Sequence, residues 1–195
     1  MKQQGLIFVV SGPSGSGKST LVDELLKDRC LKKKLVKSVS FATRPKRSGE
    51  RDKKDYFFIS NKAFKAKLAA EKILEWTKYL RYYYGTPREF VEEQFKKGKH
   101  LILCLDYRGV SQLRRILPQN TVAVFILPPS LEALRRRIAK RCHLTREQEI
   151  RQRLRLAAKE LALAQKYDYR VKNSDLRQAT RVLKKIILSE INALK

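Results

Sequence analysis

The chain has no apolar stretch approaching the ~20 residues that a membrane-spanning helix needs. It also lacks a charged-then-apolar leader, because the apolar run Leu6 to Val10 passes straight into glycines. A cytoplasmic protein is expected. Cysteines are three, Cys30, Cys104 and Cys142; odd in number and widely spaced, they support neither a disulfide framework nor a Cys-x-x-Cys metal or redox motif, and free thiols fit a reducing compartment. Histidine is scarcer still. Cys142 adjoins His143, but the only other histidine is His100, so four zinc ligands do not assemble from neighbouring positions. No repeat, low-complexity tract or linker interrupts the chain. Acidic residues are few: 19 Asp and Glu against 45 Lys and Arg give a formal charge of +26. Such an excess concentrates phosphorylated ligands but also holds RNA, DNA or anionic lipid, so charge alone does not choose between nucleotide and polymer.

The 195 residues, 43% of them hydrophobic, suit one domain with a proper core. Leu6 to Ser11 reads as a strand buried on both faces, followed by a glycine-rich turn and a helical pattern from Leu21 to Lys27. Apolar runs recur at Leu101 to Leu105 and Val122 to Leu127. Helical spacing follows each of them, at Val110 to Leu117 and at Leu131 to Ile138. Alternating strands and helices predict an α/β fold with a doubly wound parallel sheet. Between Val39 and Glu89 the segments shorten and fill with Tyr, Phe, Arg and Lys, with a helical piece near Asn61 to Glu71; this reads as an inserted lobe, approximately residues 38–90. Helical spacing returns from Arg146 to Lys166, then a short strand at Asp168 to Val171 and a closing helix at Leu176 to Leu194.

Residues 12 to 20 read GPSGSGKST, which satisfies G-x-x-x-x-G-K-[ST] through Gly12, Gly17, Lys18 and Ser19, with Gly15 in between. The motif leaves a predicted buried strand and opens a predicted helix, the setting in which backbone N–H groups and a helix N-terminus surround a phosphate. Pro13, Ser14, Ser16 and Thr20 complete the expected ATP-binding loop. Glycines permit φ > 0 and close approach of the backbone. Lys18 supplies mobile charge to the β- and γ-phosphates, and the Ser19 hydroxyl is placed to ligate the Mg²⁺ that accompanies ATP.

The stretches SVSFATRPKRSGERDKKDYFF from Ser38, ILEWTKYLRYYYGTPRE from Ile73 and LILCLDYRGV from Leu101, behind that loop, resemble the guanylate kinase family almost end to end. The resemblance implies an enzyme that phosphorylates GMP, and dGMP with it, from ATP. It also implies that Ser40 meets the guanine while Arg44, Arg47, Tyr56 and Tyr84 grip the GMP phosphate. Glu75 and Asp106 then read the guanine, with Gly85 and Thr86 in the Tyr-Gly-Thr run completing the acceptor site. The chemistry agrees, since guanine presents N1–H and an N2 amino group that one carboxylate accepts together, and AMP would leave that carboxylate unpaired. Arginine forks bind phosphate oxygens in pairs. Singly, each residue also has an ordinary reading: Asp106 as the cap of the following helix, the arginines as surface charge, the tyrosines as strand packing.

The segment PPSLEALRRRIAKRC resembles the approach to the family's lid, taken as residues 137–155, which implies transition-state roles for Arg137, Arg141 and Arg153. Asn173 falls in a run resembling a Val-Asn-Asp-Asp segment and is expected to border the donor adenine. No general base is required, because a phosphate monoester with a second pKa of about 6 arrives ionised. Three features depart from the pattern. Cys104 stands where the family usually has the first aspartate of Asp-x-Asp, Leu80-Arg81-Tyr82 replaces a glycine-containing turn, and Cys142 replaces a glycine in a lid one residue longer. Two rivals remain at this point, a family-like interaction module that has lost catalysis and binds peptides and a basic nucleic-acid-binding protein using the +26 charge, the first opposed by the intact loop and the second by the absence of a nucleic-acid module. Oligomeric state has no signature.

Overall fold

The computed structural model describes residues 5–141 and 147–194. The central strand β1 (Ile7–Ser11) is buried throughout and lies between β7 (His100–Cys104) and β8 (Thr121–Leu127) in parallel register, with Ile7 opposite both Leu101 and Thr121. Adding β2 (Leu35–Lys37) and β9 (Tyr169–Lys172) at the edges gives a five-stranded parallel sheet of order β2-β7-β1-β8-β9. The near-continuous apolar runs follow from this, since a parallel sheet is covered on both faces.

Period-two alternation sorts the side chains of each strand between two cores. Phe8, Val10, Ile102, Val124 and Ile126 pack with Leu21, Val22 and Leu25 of α1 (Lys18–Leu25) and with Leu183, Ile187 and Ile191 of α8 (Leu176–Ala193). Ile7, Val9, Leu101, Leu103, Ala123 and Phe125 turn the other way, against Val91 of α4 (Arg88–Lys96) and Val110 and Leu113 of α5 (Tyr107–Ile116). Helices therefore cover both faces, which is the doubly wound arrangement expected from the sequence.

The segment between β2 and α4 forms a second, mixed sheet of order β4-β3-β6-β5 from β3 (Phe41–Ala42), β4 (Phe57–Phe58), β5 (Ile73–Tyr79) and β6 (Tyr82–Pro87), beside helix α3 (Asn61–Ala69). Beyond β8, α6 (Leu131–Arg141) and α7 (Glu147–Ala162) share a small cluster of their own made by Leu134, Ile138, Ile150 and Ala157. A one-turn helix α2 (Arg29–Lys32), the edge strand β2 and helix α4 have no counterpart in the sequence reading. The first two are too short for periodicity to register, and α4 starts at the end of the stretch assigned to the lobe and mixes Phe90, Val91 and Phe95 with charged residues.

Candidate active site

The glycine loop leaves the C-terminal end of β1 and closes on itself before α1. Ser16 N–H donates to the Pro13 carbonyl at 3.0 Å, and Gly15 and Gly17 take φ of 89° and 95°. Gly12 cannot carry a side chain, because a Cβ there would stand 2.5 Å from the Ile126 carbonyl oxygen. Lys18 Nζ donates to the Gly12 and Pro13 carbonyls at 2.6 and 3.0 Å, so its charge is held over the loop. Ser19 and Thr20 are exposed at the first turn of α1, and Ser16 is fully buried. Asn173, expected at the adenine, is buried beneath the loop: its amide donates to the Ser16 carbonyl at 2.8 Å, and a Cβ on Gly17 would meet that amide at 2.4 Å.

One cavity runs from the loop, where Gly12, Ser14, Gly15, Gly17, Lys18 and Ser19 line it, to the second sheet, where it meets Ser40, Arg44, Arg47, Tyr56, Glu75, Tyr84 and Asp106. Fourteen residues chosen from the sequence converge there once Arg153 is added. Arg153 is buried on α7 and donates to the Ser14 hydroxyl at 3.1 Å. Arg137 is half-buried on α6, its Cβ lying 3.7 Å from a Cβ built on Gly15. The side chain of Arg141, and Cys142, fall outside the described residues.

Glu75 is 2% exposed at the far end of the cavity. The Thr86 hydroxyl donates to its Oε1 at 2.6 Å, while Oε2 has no hydrogen-bond partner among the described residues. Its strand is pinned to α5 by Gln112, which accepts from the Trp76 N–H at 3.2 Å and donates to the Trp76 carbonyl at 2.6 Å, where β5 shifts register against β6. Burial pushes Glu75 up to about 7, a shift to which the charge of Asp106 adds and which the Thr86 hydrogen bond opposes. Asp106 caps α5 by accepting from Gly109 N–H at 3.0 Å, and it also lines the cavity, where it accepts from the Thr77 hydroxyl at 2.8 Å. Gly85 does not line the cavity; it makes room, since a Cβ there would meet Ile73 Cγ2 at 2.8 Å.

At the opposite wall Arg44 is 6% exposed and held in two bonds by Glu50, 2.6 Å to Oε2 and 2.5 Å to Oε1, with Arg47 N–H also donating to Oε2 at 2.9 Å. The guanidinium lies 5.0 Å over the Tyr56 ring, and Tyr56 packs edge-on to Tyr84 at 5.9 Å. Burial works against the charge on Arg44, but the Glu50 hydrogen bonds and nearby groups hold its pKa above the usual value. Burial likewise lifts Tyr56 to about 12, so this wall offers a fixed cation and neutral hydroxyls.

Glu50 was not singled out in the sequence, although it is the only acid among the basic residues 44–51. Nor was Glu160, which lines the cavity from α7, two turns beyond Arg153 on the same face. Cys104 is half-buried at the end of β7, packs partly against the α1 core and lines the cavity beside the loop. Burial raises its thiol pKa against the opposing pull of Lys18 and Lys37, so it stands there as a neutral thiol. No group of three or more metal-ligating side chains occurs among the described residues. The exposed Ser19 hydroxyl beside the loop is a single oxygen donor, of the kind that fits a Mg²⁺ ion bound chiefly through phosphates.

The guanylate kinase family profile matches residues 4–190. A guanylate kinase of Caldanaerobacter subterraneus subsp. tengcongensis is 42% identical over 190 residues, which cover 97% of this chain and 90% of that protein. One from Protochlamydia amoebophila is 41% identical over 192 residues, with 98% and 94% covered. The crystal structure of guanylate kinase from Anaplasma phagocytophilum superimposes with a TM-score of 0.79 at 32% identity, covering 97% of this chain and 88% of that one.

Proposed function

This chain belongs to the guanylate kinase family and catalyses ATP-dependent phosphorylation of GMP to GDP, and on that premise we propose how its own residues divide the work. The supporting observation is the single cavity that joins a glycine loop to a buried carboxylate and an arginine–tyrosine wall. The loop of residues 12–20 holds the ATP phosphates on backbone N–H groups. Glu75, with Asp106, Thr86 and Ser40, takes the guanine of GMP, the free Oε2 of Glu75 being matched to its donor pair. Arg44, Arg47, Tyr56 and Tyr84 take the GMP phosphate, and dGMP enters the same site. Residues 38–90 act as the acceptor lobe and 137–155 as the lid, in keeping with a sheet and a small core separate from the main ones.

In transfer, an oxygen of the GMP phosphate attacks the γ-phosphorus of ATP, the bond from that phosphorus to the β-phosphate bridging oxygen breaks, and its electron pair leaves with ADP. The attacking oxygen is already ionised, so no side chain has to remove a proton. Lys18 exchanges its loop carbonyls for phosphate oxygens as charge moves, and Arg153 and Arg137, with Arg141, stabilise the equatorial charge. Mg²⁺ carried by ATP would neutralise the β- and γ-phosphates, with Ser19 as its protein oxygen. Free thiols at Cys30 and Cys104 support a reducing, cytoplasmic location.

ADP formation measured with GMP, AMP, CMP and UMP tests the assignment. Turnover should be confined to GMP and its deoxy form, and Lys18→Ala should abolish it while the circular dichroism spectrum stays unchanged. Comparable rates with AMP would overturn the guanine-reading role of Glu75.

A further inference from the structure

The acceptor assignment above, on which this inference rests, leaves two buried polar groups in the cavity without work. Glu160 Oε2 and the Tyr79 hydroxyl are buried and have no hydrogen-bond partner among the described residues, yet both residues line the cavity. Leaving such groups unpaired is costly, so a structure that keeps them there points to a ligand. They come from different parts of the chain, Tyr79 from the end of β5 in the acceptor lobe and Glu160 from α7 behind the lid. They nonetheless face one cavity, and burial first and then the charge of Glu160 raise Tyr79 to about 12. Burial lifts Glu160 to about 7, and of the charges it feels, Lys18 lowers it and Asp106 raises it. The carboxylate shares the cavity wall with Lys18 and Asp106.

Chemistry narrows what it can hold. A phosphate is repelled by a carboxylate, and the phosphate wall is already furnished by Arg44, Arg47, Tyr56 and Tyr84. The base has Glu75, Thr86 and Asp106. What remains of a nucleoside monophosphate is its sugar, which presents two adjacent hydroxyl donors, and an ionised carboxylate is an acceptor-only group with two oxygens suited to that pair. We propose that Glu160, with Tyr79 beside it, is the ribose subsite of the acceptor, the carboxylate accepting from the 2′- and 3′-hydroxyls and the phenol donating to or accepting from one of them. The sugar is thereby held between the acceptor lobe and α7, and the enzyme prefers ribo- over deoxyribonucleotide acceptors.

The test is kcat/KM for GMP, 2′-deoxy-GMP and 3′-deoxy-GMP with the wild type, Glu160→Ala, Glu160→Gln and Tyr79→Phe. The wild type should favour GMP over at least one deoxy analogue by about tenfold, as expected for one hydrogen bond to an ionised acceptor. Glu160→Ala should bring that ratio within about twofold of unity, and Tyr79→Phe should reduce it by less. Glu160→Gln, nearly isosteric, carries the same test if the alanine variant fails to fold, and should reduce the ratio at least ~threefold. Selectivity for GMP over IMP, which reads the 2-amino group through Glu75, should stay unchanged in every variant; its loss in Glu75→Gln alone would report on the base site and leave the sugar assignment standing. A wild type indifferent to both deoxy sugars would overturn the proposal. So would variants that lower GMP and its deoxy analogues by one common factor, the pattern of a carboxylate that merely holds Arg153 or a water.

Discussion

At the residue scale, Glu75 shows how function opposes stability. Its carboxyl titrates near 7 in the fold against an ordinary value of 4.5, with burial as the main cause. The folded state therefore binds more protons than the unfolded state between about 4.5 and about 7, so this group favours folding fully below the lower value and progressively loses that contribution as pH rises through 7. Glu75→Gln removes the titration. We expect the variant to melt several degrees above the wild type at pH 8, with the difference gone near pH 4, and to lose about a hundredfold in kcat/KM for GMP, as for removal of a buried charged acceptor. Scanning calorimetry at the two pH values and initial rates with GMP check both halves; equal melting at pH 8 would show that the side chain is not buried as a charge. Glu75 was singled out through the resemblance to the guanylate kinase family, and the structure places it buried on the cavity wall. Glu50 was passed over although its partners Arg44 and Arg47 are near in sequence, and Glu160 because only the fold brings α7 to the cavity. Even so, the i, i+7 spacing of Arg153 and Glu160 on one helix face was available as a signal.

At the element scale the phosphate loop was read correctly from spacing, but its support was not. Asn173 follows β9 by one residue, and its N–H donates to the Leu127 carbonyl at 2.8 Å, fixing the side chain under Ser16. Removing that amide strands a buried carbonyl in the loop proposed to hold ATP. Asn173→Ala should cost about 1–3 kcal/mol of stability and raise KM for ATP severalfold while leaving KM for GMP nearly as it was. Urea melts and paired saturation curves check this, and an equal rise in both KM values would place Asn173 outside donor binding. The β5–β6 turn shows a local rule broken. Leu80 and Arg81 alone connect the strands, and Leu80 takes φ 56°, a left-handed conformation usually left to Gly, Asn or Asp in such a turn. The departure from a glycine-containing turn visible in the sequence is accommodated by backbone strain, and the hairpin still closes in register at Tyr79 and Tyr82.

At the scale of the whole molecule, the parallel core was legible because strands buried on both faces announce themselves as apolar runs, whereas the edge strand β2, with only Leu35 fully buried, does not. The charge was legible in amount but not in placement. Several acids are engaged in exposed pairs such as Glu24–Lys27, Asp23–Lys37 and Glu93–Lys97, which leave the +26 excess largely as a field over the surface. A field of that kind draws ATP and GMP, both anions, toward a cavity whose own walls carry Lys18, Arg44, Arg47 and Arg153. Its reach is the Debye length, ~8 Å at physiological ionic strength and ~3 Å at 1 M, whereas interactions between buried groups inside a cavity are screened much less. Salt should therefore act on capture and spare chemistry: kcat/KM for GMP should fall severalfold between about 0.02 and 0.5 M KCl, with kcat changing by less than about twofold. Heparin or RNA should be retained at the low end of that range and released by moderate salt, with GMP kinase activity intact throughout. Stopped-flow binding of a fluorescent GMP analogue across the series separates the two effects. A salt-independent association rate would mean that the excess charge does not steer substrate, and RNA binding that is sequence-specific and survives 0.5 M salt would give that charge a second purpose.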